Sequence, residues 1–118
     1  MTRQELRHAD YIAHMLEASA LAQSYVEGMS KADFLHDKRT QQAVILNIMV
    51  IGEAATKLAD EHPGFVAKYP QAPWKSMRGM RNRLAHGYFD INLDVAWETV
   101  RQALPELENK LRQIEQAL

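Results

Sequence analysis

The chain reads as an all-α protein: one helical bundle of four to five helices, a single domain over residues 1–118. Three observations lead there. Apolar residues recur at steps of three and four along most of the chain. No period-two stretch bounded by hairpin turns competes with them. A length of 118 residues, 47% of them hydrophobic and 25% charged, suffices for one core and not for two.

The first helix is expected from about Arg3 to Glu27, where Ile12, Met15, Leu16, Ala22 and Val26 form a stripe and Gly28 supplies a stop. Ser30 and Asp33 form a capping box that opens a short turn through Phe34. A second long helix should run from about Asp37 to Glu61 and stop at His62-Pro63-Gly64. Its middle, residues 43–51, is apolar all round, which predicts burial on more than one side. In a domain this small, that means a central helix or one shared with a second subunit. Pro70 and Pro73 make residues 69–74 a loop or an extended approach. A third helix follows from Trp74 to His86 and stops at Gly87.

The last helix has the clearest pattern. Leu93, Trp97, Val100, Leu104, Leu107, Leu111, Ile114 and Leu118 alternate steps of four and three, with Asn92 as N-cap. Such a seam is read first as core packing. Pro105 falls within it and should kink the helix or split it near Leu104.

Composition narrows the chemistry. The absence of cysteine excludes a disulfide scaffold, a thiolate zinc site, an iron–sulfur cluster and a cysteine nucleophile. His8, His14, His36 and His62 show no metal-ligand spacing, and Asp10 with His14 does not make a site, so no metal is expected. The N-terminal Met1-Thr2-Arg3-Gln4-Glu5 is polar and leads into no apolar signal region. The longest apolar run is short of the ~20 residues that cross a bilayer. A cytoplasmic protein without a membrane role is the expectation.

The net charge of −1 hides a partition. Residues 62–89 contain no Asp or Glu, and Lys68, Lys75, Arg78, Arg81 and Arg83 give that segment +5. The remainder of the chain carries −6. Within the basic segment, Lys75, Arg78 and Arg83 are candidate phosphate-binding residues, the arginines because guanidinium forks match phosphate oxygens and Lys75 as a further positive charge. Arg81 and His86 are the candidate catalytic pair, His86 because it titrates near neutrality. On an ideal helix these two lie about 140° apart, whereas Asn82 and Arg83 sit one turn before His86. Arg81 and His86 therefore converge only if the helix loosens or two subunits build one site. A bland reading competes: His86-Gly87 is also an ordinary helix ending beside a solvated basic face.

Arg81-x-x-x-x-His86-x-Tyr88, with polar Asn82 after the arginine, resembles the R-x(4)-H-x-Y motif of HEPN-domain proteins. More narrowly it resembles the HepT toxins, which pair with minimal nucleotidyltransferase (MNT, MntA-type) antitoxins in type VII toxin–antitoxin systems. Ile51-Gly52-Glu53-Ala54, Pro73-Trp74 and Trp97 stand in the family's order and extend the resemblance over most of the chain. It implies a HEPN-like bundle and a metal-independent RNA endonuclease with no cofactor. His86 would be general base toward the RNA 2′-hydroxyl, and Arg81 would stabilise the attacked phosphate. The phosphates bound by Lys75, Arg78 and Arg83 would then be those of RNA. It also implies a homodimer whose two motifs face each other, and an antitoxin partner that adenylylates Tyr88 to give O-AMP-tyrosine. Asn82, Tyr88 and Glu53 are supporting residues in that picture. Glu53 is either partly buried and paired with Arg78 or Arg81, or simply exposed. The competing function is a non-catalytic nucleotide- or RNA-binding partner subunit of a nucleotidyltransferase.

Overall fold

In the computed structural model, residues 7–84 and 90–118 are described, and they form helices joined by short connections. These are α1 (His8–Tyr25), α2 (Lys31–Leu35), α3 (Lys38–Glu61), α4 (Pro63–Lys68), α5 (Trp74–Leu84), α6 (Leu93–Glu98), a π-helical segment (Thr99–Ala103) and α7 (Leu104–Gln116). The all-α bundle expected from the sequence is the architecture observed.

Helix α1 buries Ile12, Met15, Leu16 and Ala22, the stripe read from the sequence, together with Tyr11, Ala18 and Ser19. Val26 closes its end, and Gly28 takes a left-handed φ of 78° that turns the chain toward α2. The Ser30–Asp33 capping box is present. Asp33 N–H donates to Ser30 Oγ at 3.1 Å, and Ser30 N–H donates to Asp33 Oδ2 at 3.0 Å.

Helix α3 is the central member, with α1 and α5 both packed against it. It is long and apolar enough to cross a membrane by composition, yet its Val44, Ile48, Ile51, Ala55 and Leu58 are fully enclosed by these neighbours. The expectation of burial all round is not met within one chain. Leu46 is 62% and Val50 38% exposed, because among the described residues no helix lies against their face of α3. The stop expected at His62-Pro63-Gly64 is also corrected. Pro63 ends α3 and occupies the first turn of α4, a position where its fixed φ suits a helix and its missing N–H has no intrahelical role.

Asp37 caps α3, its carboxylate accepting from the Thr40 hydroxyl at 2.8 Å and the Thr40 N–H at 3.1 Å. The Thr40 hydroxyl first, then its N–H, hold the Asp37 carboxyl below the usual carboxylate range. A depressed pKa contributes stability above the unfolded value, and that contribution is lost as the carboxyl protonates in acid. Replacing Asp37 with Asn keeps an N-cap and removes the charge. The variant is expected to show a shallower fall in thermal midpoint below about pH 4 than the parent. Equal acid slopes for the two proteins would rule the contribution out.

Residues 93–116 form one helical path interrupted before Pro105. There the Leu104 N–H donates to the Thr99 carbonyl, and a new α-helix starts at Leu104 with the proline in its first turn. The split expected near Leu104 is thus a π-helical insertion, a way to pass a residue that cannot donate in the helical ladder. Val100, Leu104, Leu107, Leu111 and Ile114 are buried along the seam, while Leu118 is half exposed at its end. α7 packs on α1, and the Ser19 hydroxyl, fully buried, donates to the Leu104 carbonyl at 3.4 Å.

Candidate functional site

The basic segment is carried by α5, whose sequence divides it into two faces. Met77, Met80 and Leu84 are buried toward the core, and Trp74 is buried at the helix start. Lys75, Ser76, Arg78, Arg81, Asn82 and Arg83 are exposed. The apolar positions recur at three- and four-residue steps, so the polar ones are forced outward. Four cations therefore stand on one helix with no carboxylate among its residues.

Trp74 anchors this helix. Its indole N–H donates to the Tyr69 carbonyl at 2.8 Å and closes the proline-containing loop expected over residues 69–74. Helix α5 can lie close to α3 because Gly52 faces it. A Cβ at Gly52 would sit 3.1 Å from the Met77 carbonyl oxygen. The Ile51-Gly52-Glu53-Ala54 stretch is thus a packing device in which Ile51 and Ala54 are buried and Gly52 admits the backbone of α5. Trp97 belongs to packing as well, half-buried with its ring 5.4 Å from that of Phe34.

Glu53 points away from that contact. Its side chain is 71% exposed and pairs with Lys57, one turn on, at 3.9 Å. Of the two readings of Glu53, the exposed one is correct, and its partner is neither Arg78 nor Arg81. Among the described residues Arg78 and Arg81, both exposed, make no hydrogen bond or ion pair. Arg83 is held differently. Its Nη2 donates to both the carbonyl and the hydroxyl oxygen of Ser76, each at 3.3 Å. Ser76 was not singled out from the sequence, although its position seven residues before Arg83 places both on one helix face.

Around α5, Arg78 and Arg81 lie toward one flank, while Ser76 and Arg83 lie on the other. Lys75, Gly79 and Asn82 run between them at i, i+4 and i+7. An open groove of about 800 Å³ follows this middle face, bordered by Pro73, Trp74, Lys75, Gly79, Asn82 and Arg83. On the Ser76 flank an adjoining cleft between α5 and the π-helical segment shares Pro73, Ser76 and Arg83 with this groove and is bordered on its far side by Glu98 and Glu106. His86, Gly87 and Tyr88 lie outside the described residues. The chain before and after them is held together, the Asn92 N–H donating to the Leu84 carbonyl at 2.8 Å.

The arrangement offers fixed positive charge on a rigid, water-accessible helix, and the chemistry it suits is phosphate binding. Comparison with known proteins places the chain in a family. A family described as "Ribonuclease HepT-like" matches residues 15–114. The chain is 36% identical over 107 residues to "Probable ribonuclease HepT" of Thermococcus cleftensis, covering 91% of this chain and 94% of that protein. It is 36% identical over 104 residues to a "Putative RNase" of Caldanaerobacter subterraneus subsp. tengcongensis, covering 88% and 90%. A further "Putative RNase", from Methanocaldococcus jannaschii, is 40% identical over 94 residues, covering 80% of this chain and 73% of that protein. No solved structure gives a significant match.

Proposed function

Since the chain belongs to the HepT-like ribonuclease family, we propose that it is a metal-independent RNA endonuclease acting as the toxin of a toxin–antitoxin pair. The observation that carries this reading is the exposed set of Lys75, Arg78, Arg81 and Arg83 on one helix that has no carboxylate of its own and is fixed by Trp74 and Gly52. His86 removes the proton from an RNA 2′-hydroxyl, and the oxygen attacks the adjacent phosphorus. The bond to the 5′ oxygen breaks, that oxygen takes up a proton, and a 2′,3′-cyclic phosphate remains. Arg81 faces the charge that gathers on the phosphoryl oxygens, where oriented donors contribute most. Lys75, Arg78 and Arg83 hold flanking phosphates, and Asn82 supports the site.

A homodimer supplies the convergence of Arg81 and His86 that one ideal helix denies. The exposed Leu46 and Val50 on α3 support association of two copies, since apolar side chains grouped on an unpaired face favour burial. In the cytoplasm the partner is a nucleotidyltransferase antitoxin. It transfers AMP from ATP to the Tyr88 hydroxyl with release of pyrophosphate, placing an anion where substrate phosphate would lie.

The test is RNA incubated with the purified protein in excess chelator. Fragments ending in a cyclic phosphate are expected. Cleavage that appears only when magnesium is restored would overturn metal independence. Intact RNA under both conditions, with binding that weakens as salt rises, would make the protein a binding subunit instead.

A further inference from the structure

We propose that the groove over Gly79 is a nucleotide subsite that takes one nucleotide of the RNA strand beside the cleaved phosphodiester, its phosphate held by Lys75 and Arg83. The inference rests on the ribonuclease reading above and adds where the strand runs across α5.

Gly79 is the observation that points to an occupant. It stands in the middle of a helix, where glycine lowers stability relative to alanine. Its φ is not left-handed, and a Cβ built there meets nothing within 4 Å. Gly52, the other mid-helix glycine, has a reason inside the fold, since the Met77 carbonyl lies against it. Gly79 has none. Its effect is to keep the groove between Lys75 and Asn82 open, which suits a site where something approaches the helix backbone.

The border of the groove specifies the class of ligand. Pro73 and Trp74 form an apolar edge, Asn82 offers an amide with both donor and acceptor, and Lys75 and Arg83 supply charge. The bonds from Arg83 to Ser76 fix the direction of its guanidinium. Among the described residues no carboxylate borders the groove, whereas Glu98 and Glu106 border the adjoining cleft, which Arg83 also lines, and would steer a phosphate to the Lys75 side of that guanidinium. An apolar wall, an amide and two cations match the base, the base edge and the phosphate of one nucleotide. A second copy of the chain is the weaker fit, because the exposed apolar residues Leu46 and Val50 lie on α3 and do not border this groove.

The experiment compares the parent with Gly79→Leu and Gly79→Ala, using a single-stranded oligoribonucleotide and a dinucleotide as substrates. Gly79→Leu is expected to raise KM for the oligoribonucleotide about tenfold, the effect of losing one nucleotide's contacts. Cleavage of the dinucleotide, which lacks a flanking nucleotide, should change little. Gly79→Ala should raise the thermal midpoint and weaken the oligoribonucleotide to a smaller degree, which shows that the groove and not the fold is affected. An unchanged KM for Gly79→Leu on the oligoribonucleotide overturns the subsite and leaves the ribonuclease reading intact. A changed sedimentation coefficient for Gly79→Leu overturns it in favour of an interface between copies. A parent that cleaves neither substrate overturns the ribonuclease reading itself, and the subsite with it.

Discussion

Replacing His86 with alanine is expected to lower RNA cleavage by a factor of ~10²–10⁴, the range for loss of a positioned general base. Arg81→Ala should cost ~10²–10³, as for removal of an oriented donor from a developing anion. Arg81 is exposed and makes no hydrogen bond or ion pair among the described residues, so its loss should leave the thermal midpoint nearly unchanged. Arg81→Lys should recover only part of the activity, since an ammonium keeps the charge but not the fork. If the two residues act on one transition state, the double variant will lose much less than the product of the single losses. Single-turnover cleavage of a labelled RNA, with circular dichroism as control, measures all four proteins. A His86→Ala protein as active as its parent would end the catalytic assignment, and so would an Arg81→Ala loss explained by unfolding. In cells, the same two substitutions should relieve growth inhibition on expression.

Gly52→Val is expected to destabilise the fold by about 1–3 kcal/mol, the usual result of adding volume where two elements already touch. A Cβ alone would come within 3.1 Å of the Met77 carbonyl oxygen, and that oxygen belongs to helix backbone that cannot swing aside. The methyls of valine need further room. Helix propensity favours valine over glycine by only roughly 0.5 kcal/mol, so crowding decides the sign. The effect should reach the site, because α3 positions α5 and α5 carries Arg78, Arg81 and Arg83. Cleavage should therefore fall even at temperatures where the variant remains folded. Urea denaturation reads the stability change, and rates below the midpoint read the displacement. A midpoint equal to the parent's would show that Gly52 does not limit the approach of α3 and α5.

Much of the molecule was legible in its sequence, for reasons that differ from element to element. The α1 stripe, the capping box at Ser30 and Asp33, and the seam through Leu104, Leu107, Leu111 and Ile114 are short-range patterns. Their period and capping chemistry specify a helix and its buried face before any neighbour is known. The break at Pro105 was legible because a proline cannot donate; that it becomes a π-helical insertion depended on continuing the seam across it. Other features need partners distant in sequence. Helix α4 was hidden because Pro63-Gly64 reads equally as a stop and as a start. Glu53 sits in a mostly apolar stretch yet faces water, since the direction it points depends on where α5 lies.

The candidate site divides the same way. The charge partition, the Arg81–His86–Tyr88 spacing and the family were present in residue order alone. The tie between Arg83 and Ser76 is also set within one helix, although it was not read there. Only the tertiary structure separated the two helical glycines, because the difference between them is what lies opposite. A carbonyl oxygen lies against Gly52, and open space lies over Gly79. Residue type and spacing determined that this chain is an all-α protein with one helix that carries four cations and no carboxylate. The packing of α3 against α5 decided how that helix is seated and which of its faces remains open, since close packing depends on contacts that no local pattern encodes.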